Sequence, residues 1–109
     1  MKKIAKIRAI IEKNPSIQLS VEKIANELFI SPVTVHKIFK EEMGIPIGKY
    51  IDDYVMFNAE FEVRQGTLSI REISEKLGFC DQFYFSRRFS QKYGMSPMKY
   101  RKEQQYKQF

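Results

Sequence analysis

Ser69-Ile70-Arg71-Glu72-Ile73-Ser74-Glu75-Lys76-Leu77-Gly78-Phe79-Cys80-Asp81-Gln82-Phe83-Tyr84-Phe85-Ser86-Arg87-Arg88-Phe89 contains two helix starts with a stop between them. Ser69 followed three residues later by Glu72 is a capping box, in which each side chain satisfies a free backbone N–H of the other. Ile73 and Leu77, four apart, give that helix an inward face, and Gly78 ends it. Asp81 caps a second helix, which buries Tyr84 or Phe85 together with Phe89 and stops at Gly94. A short helix, a tight turn and a second capped helix make a helix-turn-helix pattern.

The same pattern occurs earlier in the chain. Ser20, Ile24 and Leu28 recur 49 residues on as Ser69, Ile73 and Leu77. Phe39, Gly44 and Tyr50 recur 50 residues on as Phe89, Gly94 and Tyr100. One extra residue therefore enters the second copy, in the turn around Cys80. Two copies are too few for a solenoid, which needs about three units to bury a continuous core. A duplicated binding unit is the better reading.

The remaining elements follow from the same signals. Ile4, Ile7, Ile10 and Ile11 lie on one face of a helix ending near Asn14-Pro15. Ser20 caps the next, with Ile24, Ala25 and Leu28 inward. Ser31-Pro32 opens another, Ser as cap and Pro at the first helical position, with Val35, Ile38 and Phe39 inward. Gly44-Ile45-Pro46 breaks the chain. The longest helix runs from Pro46 to about Gln65, with Tyr50, Ile51, Tyr54, Met56, Phe57, Ala59 and Val63 as its apolar positions. Ser96-Pro97 starts a last helix with Met98 and Tyr100 packing back, and Lys102–Phe109 reads as a frayed tail. No stretch alternates with period two over more than a few residues. The expected fold is all-α, about seven helices. Two homeodomain-like helix-turn-helix subdomains, 1–45 and 67–109, are joined by a linker helix, 46–66.

Composition bounds the chemistry. The 109 residues are 43% hydrophobic, enough to form a core, and carry a net charge of +6. Residues 1–43 contribute +3, residues 44–66 contribute −2 and residues 67–109 contribute +5. Basic copies flanking an acidic segment favour an acidic partner such as nucleic acid. A single cysteine excludes an intrachain disulfide and fits a reducing compartment. No apolar run suits a membrane span, and the N-terminus is a poor signal peptide. A cytoplasmic protein is expected, with no membrane partner. His36 and Cys80, the only His and Cys, lie in different copies and make no zinc site. The glycines are scattered, and Glu41-Glu42 and Asp52-Asp53 are neighbours that point apart on a helix. No enzyme, metal or cofactor is read.

In a helix-turn-helix unit the N-terminal residues of the second helix reach base edges in the DNA major groove. Periodicity leaves Val33, Thr34, His36, Lys37 and Lys40 outward in the first such helix, and Gln82, Phe83, Ser86, Arg87 and Ser90 in the second. Arg87 and Lys37 can donate to guanine, Gln82 can pair with adenine, and Val33 and Phe83 can meet a thymine methyl. Polar residues on a helix face are commonly just solvated. Outward Val33 and Phe83 have no such rationale.

The run Ile73–Phe89 with Tyr93-Gly94-Met95-Ser96-Pro97-Met98-Lys99-Tyr100-Arg101 closely resembles the signature of the AraC/XylS family of transcription regulators. The first copy is similar to that family's first unit at Ile24-Ala25, Ser31-Pro32, Phe39-Lys40, Gly44 and Tyr50. The resemblance implies a sequence-specific regulator, an activator in many members, that inserts two recognition helices into successive major grooves of double-stranded DNA. It implies base contacts by Val33, His36 and Lys37 in the first unit and by Gln82, Phe83, Ser86 and Arg87 in the second. Phosphate partners would be Thr34, Lys40, Arg88, Lys92, Lys99 and Arg101.

Three positions depart from the family pattern. Phe29 stands where a turn glycine is frequent, Val55 where an arginine is common, and Phe83 where a small or polar residue is usual. The linker, twenty residues or about 30 Å as a helix, suits grooves about 34 Å apart. Outward Asp52, Asp53, Glu60 and Glu62 read as a solvated face or a contact for RNA polymerase. An effector or receiver domain elsewhere in a longer chain is a further candidate partner, and the isolated domain is expected to be monomeric. The competing readings are a helical protein-interaction module and a nonspecific nucleoid protein.

Overall fold

Ser20, Ser31, Ser69 and Asp81 each start a helix by accepting a backbone N–H three residues on. The donors are Lys23, Thr34, Glu72 and Tyr84, at 3.1, 3.1, 3.0 and 2.7 Å. The Glu72 carboxylate returns the bond to the Ser69 N–H at 2.9 Å, completing the capping box. These caps set the boundaries in a computed structural model that describes residues 2–107. Among the described residues there are seven helices and no strand. They are α1 (Lys3–Lys13), α2 (Val21–Leu28), α3 (Pro32–Met43), α4 (Ile47–Gln65), α5 (Ile70–Lys76), α6 (Gln82–Tyr93) and α7 (Pro97–Lys107).

The chain divides into two compact units, Met1–Tyr54 and Val55–Phe109. The division falls inside α4, so that helix closes the first unit and opens the second. In the first unit α1 packs on α2 and α3. Its core is Ile7, Ile11, Ile24, Ala25, Val35, Phe39, Ile47 and Ile51. Phe39 meets Tyr50 with ring centroids 5.1 Å apart. In the second unit Val55, Met56, Ala59 and Val63 are buried with Ile70, Ile73, Leu77, Phe79, Phe85 and Phe89. Phe85, not Tyr84, is the buried aromatic of the pair. Its ring links Phe79 at 5.0 Å to Phe89 at 6.0 Å, and Phe89 meets Tyr100 edge-on at 5.3 Å.

The repeat is longer than its sequence matches suggest. The Tyr50 hydroxyl donates to Glu12 Oε2 at 2.7 Å, and Glu12 also holds Arg8. The Tyr100 hydroxyl donates to Glu60 Oε2 at 2.6 Å, and Glu60 also holds Arg64. Glu12 on α1 and Glu60 on the second half of α4 therefore fill the same place. Each unit is a leading helix, a helix-turn-helix pair and a closing helix tied back to the leading one.

Several expectations need correction. Phe57, one of the apolar positions of α4, is 64% exposed, because burial goes to Val55, Met56 and Ala59 around it. Met98 does not pack back and is 50% exposed; Pro97 is the buried residue of that turn. Residues 102–107, expected to fray, continue α7 to Lys107, and the rest of the expected tail lies outside the described residues. Glu60 and Glu62 are not a solvated face, since Glu60 takes Tyr100 and Arg64 while Glu62 pairs with Lys76 across to α5.

The two turns differ in their chemistry. Phe29 caps the end of α2 in the left-handed region, at φ 58 and ψ 39. Gly78, 49 residues on, has φ 82. That conformation costs a residue with a Cβ about 1–2 kcal/mol and glycine almost nothing.

Candidate nucleic-acid interface

In the first unit the turn between α2 and α3 is locked by backbone bonds. Ile30 N–H donates to Ala25 O at 3.1 Å, and Phe29 N–H to Asn26 O at 3.3 Å. Ser31 then caps α3, and its Oγ also lies 2.8 Å from Thr34 Oγ1. Val35 and Phe39 anchor α3 in the core with Ile38 half-buried beside them, so the positions off that stripe face out. Val33 is 75% exposed, and His36, Lys37 and Lys40 are exposed too. Thr34 is half-buried with its hydroxyl shared with the cap. Lys40 reaches the Gly44 carbonyl at 3.4 Å, where its charge opposes the negative end of the helix dipole.

In the second unit Phe85 and Phe89 anchor α6 in the same way. Gln82 and Arg87 are exposed and Phe83 is 83% exposed, while Ser86 is half-buried. The guanidinium carbons of Arg87 and Arg88 both lie 5.8 Å from the Tyr84 ring centroid. Arg88 also donates to the Tyr84 hydroxyl at 3.1 Å. A cation over a tyrosine face is held electrostatically and loses rotamer freedom. Tyr84 thus positions both arginines. Sequence reasoning missed it, although Tyr84 stands three and four residues before them, the spacing of helix neighbours.

Lys92 and Lys99 are exposed. Arg101, expected at phosphate, is bonded within its own unit. It is half-buried, donating Nε to Val63 O at 2.8 Å and Nη2 to Leu68 O at 2.6 Å. Val63 sits in the last turn of α4, whose carbonyls have no partner within the helix. Arg101 fastens the closing helix to that end.

Electrostatics of the tyrosine–glutamate ties follow from their surroundings. Burial, then the hydrogen bond to Glu60, pushes the Tyr100 hydroxyl up to about 12. Burial opposes the charge on Glu60, but hydrogen bonds from Tyr100 and Arg64 hold its carboxyl below the usual range. Burial and the bond to Glu12 likewise raise Tyr50. No group of three or more metal-ligating side chains occurs among the described residues.

Each unit therefore presents a capped helix whose first turns carry outward apolar and cationic side chains on a buried core, joined on α6 by the amide of Gln82. Two such units define a tandem helix-turn-helix protein. Residues 24–103 match the helix-turn-helix domain family, which covers most of the chain. The chain is 34% identical over 100 residues to the Msm operon regulatory protein of Streptococcus mutans. That alignment takes in 92% of this chain and 36% of that protein. It is 31% identical over 98 residues to the HTH-type transcriptional activator AarP of Providencia stuartii, covering 90% of this chain and 73% of AarP. The C-terminal domain of AraT, a response regulator from Geobacillus stearothermophilus, superposes with a TM-score of 0.83 at 31% identity. The superposition spans 94% of this chain and 86% of that one. This chain belongs to the AraC/XylS family of helix-turn-helix transcription regulators. It spans only about a third of the length of the Msm operon regulatory protein.

Proposed function

We propose that α3 and α6 are recognition helices that enter successive major grooves on one face of double-stranded DNA. Val33, His36 and Lys37 read bases from the first unit, and Gln82, Phe83, Ser86 and Arg87 read them from the second. The observation that carries this is the exposure of Val33 and Phe83, each in the first turn of a capped helix. An apolar side chain there gains nothing in water and suits a thymine methyl. Thr34, Lys40, Arg88, Lys92 and Lys99 contact phosphate and set affinity and salt dependence rather than sequence.

The two units read different bases, because α6 offers an amide and an arginine where α3 offers proline and lysine. Membership of a regulator family supports a cytoplasmic, non-catalytic role. Among the described residues no helix is long and apolar enough to cross a membrane. RNA polymerase, and an effector or receiver domain in a longer chain, complete this reading as partners.

In-vitro selection from random duplexes, followed by footprinting, tests the proposal. The expected result is one asymmetric site protected at two patches about one helical turn apart, bound at nanomolar-range affinity. Equal binding to selected and random duplex overturns sequence-specific reading.

A further inference from the structure

Phe29 is the only non-glycine residue with positive φ among the described residues, and its side chain is 95% exposed. The conformation disfavours any residue with a Cβ, and an exposed ring gives nothing back to the first unit. At the same place the second unit has Gly78, so the turn itself does not require a ring. A strained residue that its own fold does not reward points to a contact outside the fold.

The surroundings indicate which contact. Only Ile30 separates Phe29 from the cap of α3, and Pro32 and Val33 beyond it are exposed. The leading edge of α3 is thus apolar. Residues 29–40 carry His36, Lys37 and Lys40 and no carboxylate. Exposed Glu27 lies two residues before Phe29, on the α2 side. An apolar tip leading into the cationic face of α3 suits a polyanion with apolar surface between its charges, which duplex DNA has in its deoxyribose rings and thymine methyls.

We propose that Phe29 is a DNA-contacting residue of the first unit, its ring packing on that apolar surface at the edge of the groove entered by α3. This rests on α3 being a recognition helix. The ring contributes affinity in the complex, and the free protein carries the backbone strain.

The test pairs thermal stability with binding to the selected site for wild type, F29G, F29N and F29Y. F29G and F29N, which tolerate the left-handed conformation, should melt higher than wild type and bind roughly tenfold more weakly. F29Y should bind like wild type. Replacing single thymines by uracil removes one methyl at a time. A position where uracil weakens wild type but not F29G assigns the contact to a base; weaker binding by F29G without such a position assigns it to deoxyribose. F29G or F29N binding as tightly as wild type overturns the proposal while leaving the α3 reading intact. Wild type without a preferred sequence overturns both.

Discussion

The Tyr100 hydroxyl donates to the Glu60 carboxylate at 2.6 Å, fastening α7 to the second half of α4. Tyr50 and Glu12 make the same bond at 2.7 Å in the first unit, between α4 and α1. Helices α3 and α6 are thus mounted on frames closed by the same device, built from residues 48 apart on the acid side and 50 apart on the tyrosine side.

Removing the hydroxyl should loosen that frame. Tyr100→Phe leaves Glu60 with Arg64 alone and should cost about 1.5–3 kcal/mol, the range for a hydrogen bond to a charged group. Denaturant unfolding measures it. An unchanged midpoint shows that water replaces the hydroxyl without loss.

The same bond sets an alkaline limit. With its folded value raised to about 12 against an ordinary value of 10.0, Tyr100 contributes stability that is fully present below pH 10. That contribution is lost as pH climbs from about 10 towards about 12, because the unfolded chain ionises first. Glu60 has the opposite sign: its lowered value gives stability present above the ordinary carboxylate value and lost as pH falls below that value through the lowered folded one. Tyr100→Phe should flatten the alkaline limb of the melting temperature against pH. An alkaline limb of unchanged slope assigns the loss to other groups.

Arg101 and Lys99 should separate stability from binding. Arg101→Ala leaves the carbonyls of Val63 and Leu68 without their donor, and should lower stability by roughly 1.5–3 kcal/mol with no change in salt slope. Lys99→Ala should leave the melting temperature alone, weaken all duplexes alike and lower the salt slope by about one. A reduced salt slope in Arg101→Ala restores that residue to the phosphate contacts.

Arg87→Ala should cost about 1–3 kcal/mol of binding and relax preference at one base pair. Tyr84→Phe keeps the ring under Arg87 but removes the hydroxyl that Arg88 reaches. Its effect should be smaller than that of Arg87→Ala and uniform across sequences. A change in base preference on Tyr84→Phe identifies the hydroxyl as a reader in its own right.

The legible features were local ones. Ser20, Ser31, Ser69 and Asp81 announce their helices because a cap acts over three residues, so the helix boundaries and the outward positions on α3 and α6 follow from the chain. So does the family, since its motif is a string of such local signals. What the chain could not disclose depends on side chains meeting across dozens of residues. Glu60 reads as a solvated acid until Tyr100 arrives from α7. Arg101 reads as one more surface cation until it finds the end of α4, and Phe57 reads as one apolar position among several until its neighbours take the inward face. The role of α4 as both closing and leading helix also had to come from the fold, because the Glu12 and Glu60 equivalence rests on which tyrosine each accepts. Sequence determined where helices start and which residues they offer outward; only tertiary packing decided which of those residues stay exposed, because that depends on contacts between distant parts of the chain.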